Sequence, residues 1–163
     1  MTTSLPLALL IVSTALAGPP AQDSVTAVLG PKAYLDGDVI EIMDITATSP
    51  RLEQGDSVTV RGRIRLDSRE EAQLSLLLTQ TEGDGIEETD SIQTVLVRKG
   101  QKEFTLKITI KHRGVLHLTM YDTATRKPFG GTYFGTAKQM KAISDWDVSY
   151  YLQTDKDAEG VRP

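Results

Sequence analysis

Three groups of side chains in this 163-residue chain have the types and spacing to do chemistry: a run of acids, a glycine-rich aromatic segment and two imidazoles. Glu82, Asp84, Glu87, Glu88 and Asp90 place five carboxylates within nine residues. Calcium takes six to eight oxygens, and a loop that adds backbone carbonyls to its acids supplies them, so these five are candidate calcium ligands. Their spacing departs from the EF-hand loop, and a solvated hairpin loop is the plainer reading. Arg126, Lys127, Phe129, Tyr133 and Phe134 are the candidate ligand-binding group. Glycines at 130, 131 and 135 permit close backbone approach, and the rings supply flat apolar area beside two cations. Such a shelf suits a sugar or a protein; in an all-β domain, the same rings more often form core.

His112 and His117 are too few for a three-histidine zinc site, and neither His-Glu-x-x-His nor Gly-x-Ser-x-Gly occurs. Gly83-x-Gly85 and Gly130-Gly131 lack the lysine and the following helix of a phosphate loop. No catalytic residue is assigned, and the chain reads as non-enzymatic. The absence of cysteine removes disulfides and zinc-thiolate sites, and the absence of asparagine removes any N-linked glycan acceptor. A formal charge of −4 disfavours nonspecific nucleic-acid binding, which wants a basic patch. Arg61, Arg63 and Arg65 do alternate, but as the wetted side of a strand.

The elements that must position these groups are short strands. Val58, Val60, Ile64 and Leu66 take every second position, and Phe104, Leu106, Ile108 and Ile110 repeat the pattern. Successive side chains of a strand point to opposite faces, so each run buries one face and wets the other. Turn signals follow: Asp36-Gly37, Ser49-Pro50, Gln54-Gly55-Asp56, the acidic run, Lys99-Gly100-Gln101 and His112-Arg113-Gly114. Asp67 to Glu71 reads as a charged connector or one helical turn, residues 137–144 as a short helix or a bridging loop with the loop preferred, and Trp146, Val148, Tyr150 and Leu152 as a final strand. Repeated strands at this spacing, with no helical periodicity, predict two packed antiparallel sheets: an all-β sandwich of about seven to nine strands.

The N-terminus reads as an export signal. Leu5 to Leu16 is an apolar run of about 12 residues, short of the roughly 20 that span a bilayer. Ala15-Leu16-Ala17 fits the small-x-small cleavage rule, although no Lys or Arg precedes the run. The expected organisation is a signal peptide over 1–17, a linker and candidate edge strand over 18–32, the sandwich over 33–153 and a charged, disordered tail over 154–163. No transmembrane span is expected in the mature chain, and its compartment is secreted or periplasmic.

Ile45-Thr46-Ala47-Thr48-Ser49-Pro50, Leu52 and then Gly55-Asp56-Ser57-Val58-Thr59-Val60 resemble the first hairpin of bacterial immunoglobulin-like and fibronectin-type modules. The resemblance covers about 20 residues; the cysteine pair and intervening tryptophan of antibody domains are absent. It implies an adhesive, spacer or binding module with a protein or glycan partner. The leading expectation is therefore a non-catalytic binding, adhesion or assembly module without a cofactor. The alternative is a carbohydrate-binding module using the Phe129–Phe134 aromatics, with a structural calcium.

Overall fold

A straight strand of 24 residues would run about 80 Å, far longer than a domain of this size is wide. The computed structural model, which describes residues 18, 20–35, 37–86 and 88–152, contains one such strand, and it bends. In chain order the strands are β1 (Asp23–Ser24), β2 (Val28–Ala33), β3 (Val39–Ala47), β4 (Ser57–Gln80), β5 (Thr94–Thr109), β6 (Gly114–Tyr121) and β7 (Pro128–Gly135). A six-residue helix, α1 (Ala137–Ala142), and 3-10 turns over Ser91–Gln93 and Ser149–Leu152 complete the described elements.

The chain is all-β and antiparallel, and its seven strands join in one hydrogen-bonded sheet of order β1-β3-β4-β6-β7-β2, with β5 on the other side of β4. The first half of β4 lies between β3 and the end of β5; its second half lies between the start of β5 and β6. The sheet curls because β4 bends between these halves. Val58, Val60, Ile64 and Leu66 from the first half and Ala72, Leu74, Leu76 and Leu78 from the second keep the same parity, so both point into one core. Phe104, Leu106 and Ile108 meet them from β5, and Leu116, Leu118 and Met120 from β6.

The bend explains two departures from the sequence reading. The sequence predicts that residues 67–71 leave the strand as a connector and that Lys99-Gly100-Gln101 turns the chain. Instead β4 and β5 run through both places, and the register slips between Leu66↔Gly100 and Glu71↔Arg98. Three extra residues on β4 form a bulge that sharpens the local twist. Its backbone is satisfied by a side chain: Asp38 Oδ1 accepts the N–H groups of Asp67 (2.8 Å) and Ser68 (2.9 Å), and Oδ2 accepts the Ser68 hydroxyl (2.5 Å). Opposite, Gly100 takes φ +107°, which glycine adopts without a Cβ penalty.

The C-terminal part departs as well. Residues 137–144, where the loop is the preferred of two readings, contain the other, a short helix: α1, opened by a reciprocal cap between Thr136 and Gln139. The alternation from Trp146 to Leu152 does not make a strand; it ends in the 3-10 turn. Together these elements cover the outer face of β6 and β7, where Val115, Tyr133, Met140, Ile143 and Tyr151 form a second buried cluster. β7 is the glycine-rich segment, and Gly131 is small because both of its neighbours press on it. A Cβ there would stand 2.7 Å from the Leu118 carbonyl and 2.7 Å from the Tyr151 ring. The expected edge strand within 18–32 divides into β1, which pairs with β3, and β2, which pairs with β7. The export signal, Glu87 and the tail over 154–163 lie outside the described residues.

Candidate functional site

The structure does not bring the five residues of the aromatic group together. Phe129 and Phe134 point into the core and are 1% and 0% exposed, while Tyr133 points out of the opposite face of β7 and is buried beneath the C-terminal cover. Arg126 and Lys127 are exposed in the β6–β7 loop. Arg126 holds the left-handed backbone, φ +62°, and its Nη1 donates to Gln73 Oε1 at 3.3 Å. The cation that does cover Phe129 is Arg69, 4.5 Å from the ring centroid and paired with Asp122 at 2.5 Å. Asp122 also accepts the N–H groups of Thr125 (2.7 Å) and Ala124 (3.0 Å). The Thr125 N–H, more than any other neighbour, holds its carboxyl below the usual carboxylate range. Arg69, Asp122 and the Thr125 turn thus clamp the loop over Phe129, and all three rings of the group are buried.

The described carboxylates of the acidic run spread along an exposed loop. Glu82 pairs with Arg113 at 3.3 Å, and Asp84 Oδ1 accepts the Ile86 N–H at 2.9 Å. Asp90 donates its own N–H to the Gln93 side chain at 2.9 Å as the chain enters the 3-10 turn. Among the described residues no three metal-ligating side chains come together to hold an ion.

What the fold does assemble is a polar network inside the cover. On the outer face of β6, His117 Nδ1 lies 2.7 Å from the Thr119 hydroxyl and 3.2 Å from the Tyr151 hydroxyl, which is itself 3.0 Å from Thr119. Beside it the Tyr133 hydroxyl bonds Thr79 at 3.0 Å and Tyr150 at 3.1 Å. Rings close the gaps: His117 stacks tilted on Tyr133 at 5.0 Å, and Trp146 meets Tyr133 edge-on at 5.6 Å. Burial disfavours the charged imidazolium and lowers the His117 pKa to about 4, so this histidine is neutral at pH 7. Burial likewise pushes the Tyr151 hydroxyl up to about 12 and raises that of Tyr150. A neutral imidazole among protonated hydroxyls, with His117, Thr119 and Tyr151 buried, packs the cover against the sheet without an unpaired charge.

The edge of this cover opens into a cleft of about 330 Å³. Its apolar lining is Val115, Ala142, Ile143 and the half-buried Trp146. Its rim carries Arg51 and Glu53 from the β3–β4 loop, Thr81 after β4, and Thr136, Lys138 and Gln139 at the start of α1. Gln139 joins two of the walls: its Oε1 accepts the Thr136 N–H at 2.8 Å, and its Nε2 donates to the Leu52 carbonyl at 3.0 Å. A wider, polar hollow of about 750 Å³ continues from it past Glu82 and Arg113.

No family model, no curated protein and no solved structure matches this chain. The cleft therefore stands on its own geometry. An apolar floor with a few convergent polar groups is what binding sites have in common. The three rings that the sequence offers as a shelf, Phe129, Tyr133 and Phe134, are buried, and Trp146, expected in a strand, stands in the irregular segment before the last 3-10 turn. The spacing Thr136-x-x-Gln139, a capping box, was the signal that a helix stands here and turns Lys138 and Gln139 toward one rim.

Proposed function

We propose that this chain works after export, in the secreted or periplasmic space, as a non-catalytic binding module of the immunoglobulin-like class. The observation that carries the reading is the Trp146 cleft, where the described surface combines an apolar hollow with converging polar side chains. The short hairpin around Ser49-Pro50 and Gly55-Asp56 supports the class, since β3 and β4 pair across it.

Recognition falls to this cleft because the strand edges are blunted. β1 is two residues long; β2 carries Pro31 and Lys32 beside a register slip; β3 is bulged at Met43. On β5 the Lys102 ammonium folds over and takes the Leu96 carbonyl at 2.9 Å. Short strands, prolines, bulges and lysines all discourage a further strand from pairing. Partner capture by strand addition is accordingly disfavoured.

The test is a comparison of two columns loaded with envelope fractions, one bearing the intact chain and the other the double variant Arg51→Glu, Lys138→Glu. Components retained by the first and lost by the second support the reading. Equal retention on both, or none above background, rejects it. Mass spectrometry of exported material should find Gly18 as the first residue; an N-terminus retaining residues 1–17 would remove the export step.

A further inference from the structure

We infer that the Trp146 cleft takes an acidic sugar, its ring lying on the indole and its carboxylate meeting Lys138. This rests on the reading of the chain as a binding module and narrows it to one class of ligand.

Charge comes first. The rim carries ions of both signs, but most are already matched: Arg51 with Glu53 at 3.6 Å, and Arg113 with Glu82 at 3.3 Å. Lys138 lines both the apolar cleft and the polar hollow, and among the described residues it forms no ion pair. The joined site thus offers one unmatched positive charge, and a ligand with a single carboxylate complements it.

Shape and polarity come next. Trp146 supplies flat apolar area, and around it stand Thr81, Thr136 and Gln139. A sugar ring has the matching pattern, an apolar C–H face bordered by hydroxyls. An aromatic acid would cover the indole equally well but would leave the polar rim desolvated and unpaired, which is costly. A peptide that binds by adding a strand needs a free strand edge. β6, which floors the cleft, is paired on both sides, with β4 and with β7. The polar hollow shares Glu53, Thr81, Gly114, Lys138 and Gln139 with the cleft, so a second ring has somewhere to continue.

Trp146 is the chain's one tryptophan and reports on the site directly. The full chain is titrated with an oligogalacturonate and, in parallel, with its methyl ester, which keeps the rings and removes the charge. A saturable fluorescence change with the acid is expected, with the ester binding about tenfold more weakly, the equivalent of one charge-assisted hydrogen bond. Lys138→Gln should erase that difference, Lys138→Arg should keep it, and Lys107→Gln, on an exposed face of β5, should leave it unchanged. Equal affinity for acid and ester, an unaltered preference in Lys138→Gln, or no saturable change at all would overturn the assignment. Chromatography of the incubated oligogalacturonate separates the two readings. Shortened chains would sink the non-catalytic function while leaving the ligand class in place, and intact but unbound chains would sink the ligand class alone.

Discussion

The Tyr151 hydroxyl lies 3.2 Å from His117 Nδ1 across 34 positions of sequence, and both share the Thr119 hydroxyl. This contact ties the C-terminal cover to the sheet, and it places the imidazole where water does not reach it. His117 ordinarily titrates near 6.5 and in the fold near 4, because burial penalises its charge. Between those values the unfolded chain binds the extra proton, so stability falls as pH falls.

The pH dependence of unfolding follows from that pair. His117 contributes full stability above about pH 6.5, loses it progressively down to about pH 4, and contributes no further slope below. The total loss is on the order of 3 kcal/mol. Urea denaturation of the native chain and of His117→Gln across this range measures it: the difference between the two profiles should slope only in that window. A constant difference would show that His117 titrates normally.

Gly131 controls whether the cover can close. An added Cβ meets the Leu118 carbonyl and the Tyr151 ring together, each at 2.7 Å, and the first is backbone that cannot yield. Gly131→Ala should cost about 1–3 kcal/mol, the range of overpacked cores, and should shift Trp146 emission toward that of an exposed indole. Unchanged stability and emission would contradict this packing.

Asp38 should matter more than its place in a loop suggests. It is 4% exposed, and three hydrogen bonds hold the β4 bulge to it. Asp38→Ala strands the N–H groups of Asp67 and Ser68 and should cost roughly 2–4 kcal/mol in chemical denaturation. Asp38→Asn keeps one acceptor and should lose about half as much. Equal costs for the two would mean that charge, rather than acceptor count, sets the energy.

Lys102 guards the outer edge of β5. Lys102→Val uncovers the Leu96 carbonyl beside a leucine that is 49% exposed. The variant should stay folded yet associate at concentrations where the native chain is monodisperse, as light scattering would detect. Identical scattering would place the edge protection elsewhere.

The strands were legible wherever one face is wet. Val58 to Leu66 and Phe104 to Ile110 alternate because their odd positions meet water, and period two survives in the residue types. It failed where both faces are covered. β6 and β7 are buried on each side, so Phe129, Tyr133 and Phe134 gave no sign of which rings were inside. The bulge at 67–70 was invisible for a different reason. Charged residues bordering a strand look like a loop unless the distant Asp38 that satisfies their backbone is known. Trp146 alternates with Val148 and Tyr150 because an irregular segment laid on a sheet also turns every second or third side chain inward.

One pairing bears on how the molecule comes to be made. β2, from the first part of the chain, is hydrogen-bonded to β7, with Val28 opposite Gly135. A ribosome or translocation pore must therefore deliver almost the whole polypeptide before β2 finds its only strand neighbour among the described elements. Until then the backbone N–H and C=O groups of β2 have no ladder partner and stay open to chaperones. Separation this long predicts refolding on the millisecond-to-second scale of non-local β-proteins. Stopped-flow refolding, in which a microsecond phase carrying the full amplitude would argue against it, provides the measurement.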